Sequence, residues 1–227
     1  MEQCWLYDDC NHKDCNNFCI RKEKLTFLYN NSLLPYKQRK RIELFIDDDK
    51  ADLDAFTKLA TIEKNILSFV DNGNNLYLFS SQVGNGKTSW AIRMLQSYFN
   101  RIWPRTDLTC RALFISVPRF LLAIKDNISN KNDYASFIKD NILKADLVIW
   151  DDIFHKSITE FEYTQLLSYI DSRLALGKSN IYTSNTSPNE ASRIVDARIV
   201  SRVTGLATQI ELKGGDKRSF SIKALED

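Results

Sequence analysis

The ten residues Ser80-Ser81-Gln82-Val83-Gly84-Asn85-Gly86-Lys87-Thr88-Ser89 constrain this chain more than any other stretch. The apolar run Leu76-Tyr77-Leu78-Phe79 precedes them, and Trp90, Met94, Leu95 and Tyr98 follow at helical spacing. The pattern predicts strand, glycine turn and helix, an arrangement that offers backbone N–H groups and a helix N-terminus to a polyphosphate. Side chains at Gly84 and Gly86 would obstruct that close approach. Lys87 supplies a point charge for the β- and γ-phosphates, and the Thr88 hydroxyl completes a Mg²⁺ shell. Lys87 is expected to face solvent until a nucleotide arrives. Ser81 stands where the full pattern carries its first glycine. The expectation is a nucleoside-triphosphate site on Gly84, Asn85, Gly86, Lys87, Thr88 and Ser89.

Leu147-Val148-Ile149-Trp150-Asp151-Asp152 is an apolar run that ends in two acids. Such a run suits a parallel strand buried on both faces. Its C-terminal end lies on the edge where α/β sheets bind ligands. Asp151 can there hold Mg²⁺, directly or through water, and Asp152 can orient or deprotonate an attacking water. Paired acids also occur in ordinary turns, and the upstream phosphate loop decides for the catalytic role. The strand pattern Asn180-Ile181-Tyr182-Thr183 runs into Ser184-Asn185 and brings the Asn185 amide to the same edge. Asparagine is equally normal turn chemistry there. Runs at 76–79, 112–117, 147–150, 180–183 and 208–212 alternate with helical patterns, which predicts an α/β, doubly wound parallel five-stranded sheet.

Helical spacing of Leu59, Ile62, Ile66, Phe69 and Val70 predicts one helix, stopped at Asp71-Asn72-Gly73. Pro118 fits the first turn of a helix through Asp126, and 134–143 is a further helical stretch. Thr159 and Glu162 form a capping-box pattern before an apolar stripe that Gly177 ends. Arg193, Arg198 and Arg202 fall on a short helix. They are surface charge, or one of them reaches a phosphate on a neighbouring subunit.

A chain of 227 residues accommodates one α/β core and a little more. The net charge of +2 does not argue for nucleic acid, whereas the local clusters 37–41 and 217–218 are basic. Neither an apolar stretch near eighteen residues nor a signal-peptide pattern is present, so no membrane contact and a cytoplasmic location are expected. In that compartment clustered cysteines suggest metal. Cys4, Cys10, Cys15 and Cys19, with His12 among them, could enclose Zn²⁺. A helical arm whose thiols pack as small hydrophobes has the same composition. Residues 1–50 are expected to form this Cys-rich region and a connector with short helices, and 51–227 the nucleotide-binding domain.

In order and spacing, five stretches resemble the motifs of one family. Gly84-Asn85-Gly86-Lys87-Thr88 looks like Walker A, 147–152 like Walker B and Thr183-Ser184-Asn185 like sensor 1. Arg198-Ile199-Val200-Ser201-Arg202-Val203 looks like the arginine-finger helix, and Gly214-Gly215-Asp216-Lys217-Arg218 like sensor 2. The chain is similar over roughly 72–220 to the AAA+ ATPases of the DnaC/DnaI type, which load replicative helicases in bacteria and their phages. The resemblance implies ATP and Mg²⁺ as ligands, Asp152 activating water and Asn185 positioning it. It implies Arg202 acting in trans within a homo-oligomer, and Arg218 touching the γ-phosphate in cis. Partners would be a DnaB-type replicative helicase, gripped by residues 1–50, and single-stranded DNA. Some members bind zinc in that N-terminal region. Nine residues follow Arg218, so a lidless domain is expected. Asp152 replaces the usual glutamate and reaches one methylene less, which together with Ser81 implies slow hydrolysis suited to a timing switch. An IstB-like transposition helper ATPase would share the motifs but act on duplex DNA. A small-molecule kinase would need an arginine-rich lid, and a binding module would keep its nucleotide without turnover.

Overall fold

Parallel strands covered on both faces leave no solvent side, so their residues are apolar almost throughout. Leu76, Tyr77 and Leu78 are fully buried, as are Leu147, Val148, Ile149 and Trp150. The computed structural model describes residues 4–6, 10, 18–44, 51–129, 132–154 and 159–217. In chain order the elements are α1 (Ile20–Asn30), α2 (Leu53–Lys64), α3 (Ile66–Asp71), β1 (Asn75–Phe79), α4 (Lys87–Ile102), β2 (Ala112–Ser116) and α5 (Val117–Ser129). They continue with α6 (Asp133–Asn141), β3 (Leu147–Asp151), α7 (Glu160–Ala175), β4 (Ser179–Ser184), α8 (Pro188–Ile194), α9 (Ala197–Gly205) and β5 (Ala207–Glu211).

The strands form one sheet in the order β2-β3-β4-β1-β5, every neighbouring pair parallel. This is the doubly wound five-stranded α/β sheet that the alternating pattern predicts. Phe79 lies beside Ser184 and Ser116 beside Asp151 in register, so the ends of four strands share one edge. Alternate residues feed two core layers. Leu76 and Leu78 point into the layer with α2, α3 and α4, and Tyr77 into the layer with α5, α7 and α9.

Several boundaries differ from expectation. The helix expected through Val70 is two helices, because Asn65 leaves helical geometry (φ −109°, ψ 26°) and its side chain bonds the Thr61 carbonyl at 3.0 Å. Arg193 sits on α8, separated from α9 by an extended Val195. Pro188 opens α8 and Ser187–Glu190 caps it, while Asp196 caps α9 afresh. The capping box of Thr159 and Glu162 starts α7 as expected. In the connector, α1 docks on the core: Leu25, Leu28 and Tyr29 are buried, and the Tyr29 ring meets Phe99 of α4 edge-on at 5.1 Å.

At the opposite sheet edge lies a fully buried arginine. Arg173 of α7 donates to Asn180 Oδ1 (2.7 Å) and to the carbonyls of Ala145 (2.8 Å) and Ser179 (2.6 Å), just where β3 and β4 begin. Burial pushes its pKa down to about 10, and the ring of carbonyl dipoles keeps it charged. Arg173→Met keeps the stem but orphans these acceptors, which costs about 3 kcal/mol. The unfolding temperature should fall by roughly 6–12 °C in a thermal melt. A drop under about 2 °C would show that the knot does not hold the sheet edge.

Candidate nucleotide-binding active site

Leaving β1, the chain passes through positive φ at Gly84 (+77°) and Gly86 (+102°), a region L side chains rarely adopt. A Cβ at Gly84 would also displace the Asp216 carboxylate, whose Oδ1 would lie 2.0 Å away. Gly86 opens α4 without a side-chain cap, the condition under which first-turn N–H groups serve an anion. The buried Asn85 amide donates to Ser80 Oγ and to the Leu212 carbonyl (3.0 Å), fixing the loop's shape.

Lys87 departs from expectation. It is 7% exposed, and its Nζ donates to Gln82 O (2.8 Å) and Asn85 Oδ1 (3.1 Å). The loop's own oxygens draw the ammonium inward, so the charge stands at the cavity wall and not in solvent. That cavity, about 300 Å³, is lined by the loop from Val83 to Ser89, by Asp151 and Asp152, and by Thr183, Ser184 and Asn185. Gly84, Asn85, Gly86, Lys87, Thr88, Ser89, Asp151 and Asp152 therefore meet there, with Asn185.

One carboxylate oxygen organises the site. Asp151 Oδ1 accepts the hydroxyls of Thr88 (2.8 Å) and Thr183 (2.7 Å). Thr183 Oγ in turn accepts the Asp152 N–H at 3.0 Å, and the Thr183 carbonyl accepts the Ile153 N–H at 2.9 Å. These bonds hold Asp152 at φ +58°, a strained angle for a non-glycine residue. Asn185 Nδ2 lies 3.4 Å from Asp152 Oδ1. Thr183 thus positions both acids, a role with no sequence signature because threonine is ordinary in a strand.

The donor set fits a nucleotide with Mg²⁺. Thr88 gives its proton to Asp151 and keeps oxygen lone pairs for a hard cation, which takes few protein ligands and several waters. A loop whose Gly84 and Gly86 take φ angles that side chains rarely adopt suits close backbone contact with phosphate.

The stretch 212–217 is strapped to the phosphate loop. Lys217 N–H donates to Gly84 O at 3.0 Å, and Leu212 N–H to Phe79 O at 2.9 Å. Asp52, 2% exposed, accepts the N–H groups of Lys213 (2.6 Å) and Gly214 (3.1 Å) and the Lys217 ammonium (3.2 Å). Sequence reasoning missed Asp52, which reads as a helix cap but makes no capping bond to α2.

Other expected residues lie elsewhere. Arg202 does not line the cavity; its Nε pairs with Asp171 at 2.6 Å on the surface. Arg198 pairs with Asp196 (3.1 Å) and holds that carboxyl down to about 2. Arg218 lies outside the described residues, as do Cys15 and His12. Cys19 Sγ accepts the Lys22 N–H at 3.5 Å and so caps α1, Cys4 packs against the apolar core, and Cys10 is partly buried. Among the described residues no three His, Cys, Asp or Glu side chains group around a metal-sized space.

No protein-family model matches the chain, and no curated protein is similar to it in sequence. Among solved structures it resembles the DnaC helicase loader, with 14% identity, a TM-score of 0.64 and coverage of 79% of this chain and 100% of that one. DnaI gives 19% identity and a TM-score of 0.61, over 79% of this chain and 95% of that one. AMPPCP-bound DnaA from Aquifex aeolicus gives 20% and 0.59, over 80% of this chain but 53% of that one. Among the described residues no helix is long and apolar enough to cross a membrane. A P-loop, two acids at the end of β3 and a β2-β3-β4-β1-β5 parallel sheet thus give the chain the AAA+ P-loop fold of the solved DnaC and DnaI loaders and DnaA initiators.

Proposed function

We propose that this chain is an ATP-driven switch of DNA replication that loads a DnaB-type helicase onto single-stranded DNA. The observation that carries the ATPase part is the single cavity gathering Lys87, Thr88, Asp151, Asp152 and Asn185. Bound ATP and Mg²⁺ would supply the phosphoanhydride and the charge that polarises it. Lys87 would exchange its loop oxygens for phosphate oxygens, and Thr88 with Asp151 would hold the metal. Asp152 would take a proton from water oriented by Asn185, with Arg218 touching the γ-phosphate in cis. The short aspartate favours slow turnover and hence timing over motion.

The likeness to the DnaC and DnaI structures supports the loader role. In this reading residues 1–50 engage the helicase, 51–227 form the ATPase domain, and the protein works in the cytoplasm. Zn²⁺ on Cys4, Cys10, Cys15 and Cys19 is motivated by their clustering in sequence alone, because the described Cys4, Cys10 and Cys19 are not grouped as a metal site in this structure and would have to come together on binding it. Mixing the purified chain with the helicase of its own replicon should give a stable complex by native mass measurement. Elemental analysis of the same sample should find about one zinc per chain. No association would remove the loader role, and metal-free protein would remove the zinc.

Assembly follows from Arg202. In the single chain it is held by Asp171, so acting in trans requires a neighbour's γ-phosphate to outcompete that half-exposed carboxylate. Such arginines contribute up to about 10³–10⁵ in turnover. Arg202→Ala should bind ATP yet hydrolyse poorly, and mixing it with inactive Lys87→Ala subunits should restore part of the activity, with helicase and DNA present. No rescue where subunits demonstrably associate would return Arg202 to surface pairing.

A further inference from the structure

The basic run 37–41 is held in place by α4. Gln96, 3% exposed, donates its amide to the carbonyls of Gln38 (2.9 Å) and Lys40 (2.7 Å), and its Oε1 accepts the Ile42 N–H (3.3 Å). Arg93 Nη1 adds a bond to Ile42 O at 3.2 Å. The backbone is therefore fixed before any ligand arrives, which lowers the ordering cost of binding. Three concavities of about 690, 260 and 270 Å³ adjoin this run, and Trp5 and Arg39 line all of them. Tyr36, 72% exposed, stands at the rim with the Arg39 guanidinium 5.1 Å from its ring centre.

Among the described residues the charge here is largely unpaired. Arg21, Lys37, Arg39, Lys40, Arg41 and Arg101 make no ion pair among the described residues. Of the described carboxylates lining the largest hollow, Glu63 is neutralised by Arg93 at 2.8 Å and Glu43 is the other.

We propose that this basic, aromatic-edged groove is where the chain holds single-stranded nucleic acid. Phosphates satisfy cations that make no ion pair among the described residues. Unstacked bases can lie on Tyr36 and Trp5, whose faces accept any base. A duplex keeps its bases stacked inside, out of reach of both rings. An acidic peptide would use the cations but has no planar bases for the aromatic rim. Lys125, a basic residue on α5 that could serve instead, is already paired with Glu162 at 3.0 Å. Because Arg93 and Gln96 lie on the helix that begins at Lys87, the groove and the phosphate loop share one rigid element. Holding a strand there rests on the DNA-directed ATPase proposed for the chain.

The test is fluorescence anisotropy of a labelled oligothymidylate against the full chain over a salt series, beside binding of a fluorescent ATP analogue. Combined Lys37→Ala, Lys40→Ala and Arg41→Ala, which remove exposed side chains and keep the Lys40 carbonyl that Gln96 clamps, should weaken DNA binding at least about tenfold. The slope of log affinity against log salt should shrink by about 2, at ~0.7 per lost contact. Tyr36→Ala should lose about fivefold with the slope unchanged. ATP-analogue binding should be unchanged in both. The proposal is overturned if the triple variant binds oligothymidylate like wild type, if wild type fails to bind it at low salt, or if duplex is preferred. It is equally overturned if the variants lose only helicase association, the signature of a protein-docking face. Wild-type protein that binds oligothymidylate through this groove but no ATP would retire the ATPase proposal and leave the groove standing.

Discussion

One oxygen atom, Asp151 Oδ1, joins the three segments on which the nucleotide site depends. It receives a hydroxyl from the first turn of α4 and another from the end of β4, while its own backbone ends β3. Hydrogen bonds to an ionised carboxylate contribute about 1.5–3 kcal/mol each, roughly twice those between neutral partners. The geometry is possible only because β3 and β4 are parallel neighbours and β1 lies beside β4, so that their C-terminal ends converge. Thr183 extends the network to the Asp152 N–H, and so holds the second acid in a backbone conformation that local sequence disfavours.

A second set of bonds ties the chain's later residues to its beginning. Asp52 precedes α2 and binds Lys213, Gly214 and Lys217, while Asn85 and Gly84 bind the same stretch from the phosphate loop. The phosphate loop, residues 212–217 and the start of α2 therefore form one hydrogen-bonded unit. The helix α4 plays the complementary part on the other side, with the phosphate loop at its N-terminus and the clamped basic run along its body.

Much of this was legible from sequence because it rests on local rules. Apolar runs of strand length and their alternation with helical patterns gave the five strands, and the rule that ligands gather at strand C-termini put Gly84, Lys87, Asp151, Asp152 and Asn185 together. The Thr159–Glu162 cap was readable because both partners lie within one helical turn. What escaped detection depends on contacts between residues far apart. Asp52 meets Lys217 across 165 positions, and Thr183 meets Asp151 across 32. Arg173 reads as a last-turn helix residue until the sheet closes over it. The net charge of +2 conceals the basic groove, because acids elsewhere in the chain cancel a concentration that only folding creates. Lys87 was misjudged for a similar reason: loop oxygens that capture it exist only once Gly84 and Gly86 have bent the chain.

The central claim is that the cavity beside Asp151 binds a nucleoside triphosphate through Lys87 and a metal. Titration of a fluorescent ATP analogue, with and without Mg²⁺, addresses it in a single assay, with thermal unfolding as the control for integrity. Wild-type protein should bind the analogue and bind it more weakly when Mg²⁺ is removed. Lys87→Ala should lose at least about tenfold in affinity, the loss of one charge-assisted phosphate contact, while remaining folded. Equal affinity in a folded Lys87→Ala variant would contradict the claim.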